Sequence, residues 1–378
     1  MTAAHRTRVA ARTPITRIRG IAMRHLRRTC VAATLLLCAS LSAATAQDAR
    51  PGVKADGTVT TPAASIPWST LASPQARAFF PKMLAEGAKA PPITAPIAAS
   101  RAFYDRMNSA RAARMEKIYP VQTRRDTLAG VGVEVVLPAQ GVSPANRHRV
   151  LLNLHGGAFL WGAHSGALVE AIPVASLGRI EVMAVDYRQG PEYTFPAASV
   201  DVEKVYRELL KTHQPGEIGI YGCSAGGILT GEAVARFIHD GLPVPGAIGM
   251  FCGALLDTTG DSAYMAPLLN GQGVPGHPLG IASLPYFRGA HPDDPLVQPG
   301  LSPALLAKFP PTLLITGTRD FTMSSVIRSN ELLREAGVPT ELRVWEGMWH
   351  SFFSDPQLPE SKQAYAAIVD FFEHRLAH

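Results

Sequence analysis

The sequence predicts an α/β fold built on a largely parallel sheet, and three observations carry that reading. Short apolar runs that suit buried strands recur from residue 132 to residue 345. Stretches of helical pattern separate them, as the crossovers of a parallel sheet require. Several runs end in glycine-bearing or polar turns at the point where a strand would hand over to a helix.

Taken in order, residues 132–136 (Gly-Val-Glu-Val-Val) alternate as an edge strand does. Residues 150–154 (Val-Leu-Leu-Asn-Leu) are apolar enough for a central strand, and His155-Gly156-Gly157-Ala158-Phe159 follow at once. Residues 217–221 form the next short strand and run into Gly222-Cys223-Ser224-Ala225-Gly226. A helix over about residues 228–238 comes after it. Residues 247–251, 311–317 and 341–345 complete the strands.

Four of these strand ends carry chemistry. The G-x-S-x-G stretch between strand and helix is the pattern of a sharp turn that pushes a serine hydroxyl out at the top of a sheet. Ser224 is therefore the candidate nucleophile. A serine needs a base to take its proton, and the base needs a carboxylate to fix its tautomer. Asp320 follows the strand at 311–317 and His350 follows the strand at 341–345, so both fall at the same sheet edge as Ser224. The order serine, aspartate, histidine fits this arrangement. The two glycines of His155-Gly156-Gly157 can turn backbone N–H groups toward one point. With the N–H of Ala225 they make a candidate oxyanion hole of Gly156, Gly157 and Ala225.

Other residues compete for these roles. Asp257 also follows a strand and is the alternative acid, whereas Asp355 lies too close to His350 in sequence to orient it. His164, His213, His239, His277 and His291 have no comparable context. Cys223 is either a rival nucleophile or a small apolar side chain beneath the turn, and its neighbourhood favours the second. Asp186 and Arg188 read as a buried ion pair supporting a strand end.

Four stretches together resemble the hormone-sensitive-lipase-like branch of the α/β-hydrolases, a group of carboxylesterases and lipases. They are His155-Gly156-Gly157; Gly222 to Gly227; Asp186-Tyr187-Arg188 with Pro191-Glu192 and Phe195-Pro196-Ala197-Ala198; and Asp294-Pro295-Leu296 leading to Asp320 and Gly347-Met348-Trp349-His350. The resemblance covers about residues 125–378. It implies a mostly parallel eight-stranded sheet with helices on both faces, a helical cap, and no metal or organic cofactor. The chain departs from the family at Cys223, where an acidic residue or threonine is usual, and at Ile228, where asparagine is frequent. It also carries Gln189-Gly190 before Pro191, and Ala158 where a third glycine is common.

The expected reaction is two-step acyl transfer on a small-molecule ester, and by resemblance one of short or medium chain length. A lactonase, an amidase or an acetyl-sugar hydrolase would use the same residues. A non-catalytic binding protein on a hydrolase scaffold would be expected to lack a triad member.

The net charge of +6 does not indicate a nucleic-acid partner. Residues 1–46 hold eight arginines with no lysine and no acid, and taking these from +6 leaves −2 for the remainder. Arg24, Arg27 and Arg28, a short apolar core at residues 31–39 and Ala44-Thr45-Ala46 read as a secretory signal peptide cleaved after Ala46. That core is too short for a stable membrane span, so the expected location is periplasmic or secreted. Cleavage leaves two cysteines, Cys223 and Cys252, whose pairing the sequence leaves open. Residues 47–64 read as a linker, 65–120 as an N-terminal cap element and 121–378 as the catalytic domain. Within the last, residues 258–306 are rich in glycine and proline and read as a second cap element.

Overall fold

The computed structural model describes residues 52–60 and 65–377. The predicted signal peptide and part of the predicted linker lie outside these residues. The chain divides into two units, residues 1–66 and 67–378. In the first, Gly52–Val53 pairs antiparallel with Val59–Thr60 as a small hairpin inside the segment predicted as linker.

The second unit is built on one eight-stranded sheet. Its strands are β1 (Val121–Leu128), β2 (Val131–Pro138), β3 (Val150–Leu154), β4 (Glu181–Val185), β5 (Ile218–Cys223), β6 (Ala247–Phe251), β7 (Thr312–Arg319) and β8 (Thr340–Trp349). The spatial order is β8-β7-β6-β5-β3-β4-β2-β1. All pairings from β8 to β4 are parallel, whereas β2 runs antiparallel to both β4 and β1. The order reverses around β3 and β5, where doubly wound sheets open a crevice for ligands.

Residues 132–136 are not the edge strand that their alternation predicted. They belong to β2, an interior strand that β1 and β4 flank on its two edges and that is buried along nearly its whole length. The true edge, β1, reads Val-Gln-Thr-Arg-Arg-Asp-Thr-Leu and is exposed along its middle. Nothing in its own pattern marks a strand. It is held by a two-residue turn in which Ala129 and Gly130 both take positive φ (50° and 79°), the geometry that matches hairpin twist.

Helices α1 (Pro74–Gly87), α2 (Ile97–Ile118), α3 (Ser165–Gly178), α4 (Ala197–Leu209), α5 (Ala225–His239), α6 (Ser262–Leu269), α7 (Met323–Glu335) and α8 (Pro359–Arg375) complete the main framework. One core layer packs β2, β3 and β5 against α4, α5 and α7 through Val202, Tyr206, Leu229, Phe237 and Leu333. The other packs α3 and α8 on the opposite face through Ile172, Tyr365, Ile368 and Phe372, and α2 adds Met115. Both faces of the sheet are thus covered, as continuous apolar strands require.

Two side-chain pairs brace the strand ends. Arg188 pairs with Asp201 of α4 at 2.7 Å, not with Asp186. Asp186 instead lies 3.5 Å from His164 Nε2. The reason is reach: Arg188 can grip Asp201 with two nitrogens, from Nε at 2.7 Å and Nη2 at 2.9 Å, a fork geometry worth more than a single contact. Helix α2 is tied to the sheet by Arg101, which binds Glu192 through both terminal nitrogens and donates to the carbonyls of Leu160 and Gly190. Helix α1 starts at Ser73, whose N–H and hydroxyl both donate to Glu360 of α8. The predicted second cap element, residues 258–306, contains α6 and short turns. Tyr286 and Phe287 fold under it and pack on Phe159, so its floor is part of the core.

Candidate active site

Strand β5 ends at Cys223 and α5 begins at Ala225, leaving Ser224 alone at the turn with φ 58° and ψ −122°. A non-glycine residue in that region stores on the order of 1–3 kcal/mol of strain. The flanking glycines serve a different need from conformational freedom. A Cβ on Gly222 would stand 2.2 Å from the Leu154 carbonyl oxygen, and one on Gly226 only 1.7 Å from it. The turn is pressed against the end of β3, and only glycine permits that approach.

The structure brings Ser224, His350 and Asp320 together. His350 Nε2 lies 2.8 Å from Ser224 Oγ, and His350 Nδ1 lies 2.8 Å from Asp320 Oδ1. Asp320 is fully buried and accepts from the Thr322 N–H (3.0 Å), the Thr322 hydroxyl (2.9 Å) and the Thr316 hydroxyl (3.0 Å). Burial pushes its carboxyl up, but His350, the Thr322 N–H and the Cys252 thiol outweigh that and hold it below the usual carboxylate range. Phe321 stacks on the His350 ring at 4.4 Å. Asp257, the alternative acid, accepts instead from the N–H groups of Thr258 and Ile281.

The loop after β3 departs from expectation at one position. The Gly156 N–H donates to Glu170 Oε1 at 2.8 Å, so this amide is engaged from behind and does not belong with Gly157 and Ala225. The physical reason is Glu170 itself, a half-buried acid on α3. It gathers the Gly156 N–H, the Cys223 N–H (3.1 Å) and the Asn153 side-chain amide (3.2 Å). The next two residues, Gly157 (φ 122°) and Ala158 (φ 53°), turn the chain back on itself. Their amides and that of Ala225 donate to no group among the described residues, and all three residues border the space around Ser224. Ala225 is also the first residue of α5, where the helix dipole favours negative charge.

His155 supports this loop from behind. It is fully buried, stacks on Tyr187 at 4.3 Å and holds the Gly156 carbonyl through Nδ1 at 2.8 Å. Burial pushes its pKa down to about 4. Glu170 moves the other way: burial raises its carboxyl to about 7 despite three donors. The sequence reading passed over Glu170, although a signal existed. It is the only charged residue in Ser165–Gly178, a helix otherwise uncharged and mostly buried.

The two cysteines lie behind the site as free, buried thiols. Cys223 Sγ is 3.0 Å from the Ser351 hydroxyl, and Cys252 Sγ accepts from the Ser351 N–H at 3.3 Å. Burial pushes both thiols up, which disfavours the thiolate a rival nucleophile needs. Cys252, Asp320 and His350 place one ligand-type atom each within 4.8 Å of one another, but the His350–Asp320 hydrogen bond already joins two of them.

Two spaces flank Ser224. One, about 320 Å³, is bordered by Ser224, His350, Tyr104, Arg111 and Trp161. The other, about 50 Å³, is bordered by Ser224, Ala158, Ile228, Ile281 and Leu284, and His350 is not among its walls.

Residues 151–354 match the family model of the alpha/beta hydrolase fold. The chain belongs to that family. It is 28% identical over 255 residues to an esterase of Acinetobacter venetianus, covering 66% of this chain and 82% of that one. It is 28% identical over 236 residues to an acetyl-hydrolase of Streptomyces hygroscopicus, covering 60% and 76%. A solved structure of an esterase from the bacterial hormone-sensitive lipase family superposes with a TM-score of 0.70 at 28% identity, covering 81% of this chain and 99% of that chain. A second, esterase E25, gives 0.71 at 29%, covering 84% and 99%. Within its family the chain is a hormone-sensitive-lipase-like carboxylesterase, an enzyme that hydrolyses carboxylic esters.

Proposed function

We propose that this carboxylesterase cleaves short-acyl esters through an acyl-enzyme on Ser224. The observation that carries the reading is the unbroken hydrogen-bond chain from Ser224 Oγ through His350 to buried Asp320. His350 takes the serine proton through Nε2 while Nδ1–H stays on Asp320, and the serine oxygen attacks the ester carbonyl. The carbonyl oxygen becomes an oxyanion held by the N–H groups of Gly157, Ala158 and Ala225. His350 then gives its proton to the departing alkoxide, and a water molecule repeats the sequence on the acyl-enzyme.

The leaving oxygen has to be within reach of His350, so the alcohol portion belongs on the side of the 320 Å³ space that His350 borders. The acyl portion then falls to the 50 Å³ space, which His350 does not reach. One water-sized atom needs about 10–15 Å³ on this measure, so roughly four heavy atoms fit. Acetyl to butyryl groups match that size. Helices α1 and α2 frame the alcohol side as a cap, and the segment 258–306 walls the acyl side through Ile281 and Leu284.

The test is a series of p-nitrophenyl esters from acetate to palmitate with Ser224→Ala alongside. The expected result is highest kcat/KM at acetate to butyrate, with kcat lowered on the order of a million-fold in the variant. Full activity of Ser224→Ala would remove the nucleophile assignment, and a preference for palmitate would remove the acyl placement. Export through a leader at residues 1–46 is part of the same proposal, supported by the charge and apolar pattern there. An amino terminus at Gln47 in the secreted protein is the expected result of sequencing it. No helix among the described residues is long and apolar enough to cross a membrane.

A further inference from the structure

From the cations that line its alcohol side, we infer that the enzyme prefers esters whose alcohol portion carries a carboxylate or another anionic group. This rests on the ester-hydrolase reading above and specifies its substrate class. The space beside Ser224 and His350 is bordered by Arg111 of α2. Arg111 also borders a larger groove of about 930 Å³ between α1 and α2, which reaches His350 as well. That groove carries Lys82, Lys89, Arg106 and Arg114 in addition, against a single acid, Glu86. Lys89 and Arg114 have carboxylate partners, and the other three cations leave the path from solvent to the catalytic histidine net positive, although the chain outside residues 1–46 is slightly negative.

Arg111 is the cation placed for recognition. It is half-buried, and its only hydrogen bond among the described residues is to the Asn108 side-chain oxygen at 3.5 Å, the outer limit for one. It has no carboxylate within ion-pair distance among the described residues. Asp355 attracts it from further off but is engaged by Arg114 at 3.7 Å. A partly desolvated guanidinium with little to bind is a site for a carboxylate or phosphate, which it can grip with two parallel N–H groups. Glu86 is taken by Lys89 at 2.8 Å. Glu170, the carboxyl group on the wall of the inner space, faces Gly156, Cys223 and Asn153. Neither acid offsets Arg111. No cation lines the acyl side: its walls include Ala158, Phe159, Ile228, Ile281 and Leu284, and its one acid, Asp257, caps backbone amides.

The probes are two acetate esters of equal size, 4-acetoxybenzoate and 4-acetoxybenzamide, with a trimethylammonium analogue as the cationic counterpart. Each rate is normalised to the ester's hydroxide-catalysed rate. The full chain without its leader is expected to show a kcat/KM at least tenfold higher for the carboxylate than for the amide, and lowest for the cation. The ratio should shrink as salt rises from about 0.02 to 0.5 M, since screening shortens the reach of the groove charges. Arg111→Gln should bring the carboxylate-to-amide ratio toward one, and Arg111→Lys should restore part of it. Equal rates for carboxylate and amide in the wild type, or a ratio unchanged in Arg111→Gln, would overturn the inference. If Arg111→Gln does not fold, the wild-type ratio and its salt dependence decide alone. Failure to hydrolyse all three esters would defeat the underlying ester-hydrolase reading, whereas hydrolysis without charge preference defeats only the inference.

Discussion

Glu170→Gln separates two roles of one buried carboxyl. In the folded protein its pKa stands at about 7, against 4.5 for the free side chain. Below pH 4.5 the group is protonated in both states and costs nothing. Between 4.5 and 7 the unfolded chain ionises while the folded one resists, so folding loses about 1.4 kcal/mol per pH unit. Above 7 both are ionised and the penalty is constant. The full window is 2.5 units, or about 3 kcal/mol, of which roughly 2–3 kcal/mol falls between pH 5 and 8. Urea unfolding of wild type and Glu170→Gln at both pH values isolates this, because lost hydrogen bonds affect the variant equally at each pH. The stability of Glu170→Gln relative to wild type should improve by that amount on going from pH 5 to 8. Parallel pH dependences in the two proteins would refute the burial argument. Activity should move oppositely: the variant presents an NH₂ group to one of the two backbone donors, Gly156 or Cys223, and loosens the loop. A fall in kcat/KM of about tenfold is expected at pH 8, in line with one lost charge-assisted hydrogen bond.

Three more substitutions probe packing. Gly226→Ala places a methyl group 1.7 Å from the Leu154 carbonyl oxygen and should cost about 3 kcal/mol or more, read as a lowered Tm with lost activity. Gly87→Ala at the end of α1 meets nothing within 4 Å and should stabilise by up to ~1 kcal/mol. Ile281→Ala enlarges the 50 Å³ space and should move the preferred p-nitrophenyl ester one or two carbons longer, with a stability loss of roughly 2–4 kcal/mol. An unchanged chain-length profile would mean that the acyl group lies elsewhere.

The sheet was readable because its buried strands are continuous apolar runs, and strand pattern depends on neighbours two residues away. Residues 150–154 and 247–251 coincide with β3 and β6 for that reason. Strand β1 escaped because an exposed edge strand buries little and need not be apolar. The positions of Ser224, Asp320 and His350 were readable because each follows a strand of one parallel sheet, and such strands all end on the same side.

Other features of the site depend on contacts between distant segments. Which amide of the loop remains available was decided by Glu170, 14 residues beyond Gly156 and folded back beneath it. Arg188 found its partner one helix further on, in Asp201. Arg111 acquires meaning only once α2 is laid beside the mouth of the site. Local pattern thus determined the elements and the strand ends that carry the reactive groups. The tertiary structure alone decided which buried charges and amides face one another, because hydrogen bonds and desolvation act through space and leave no periodicity in the chain.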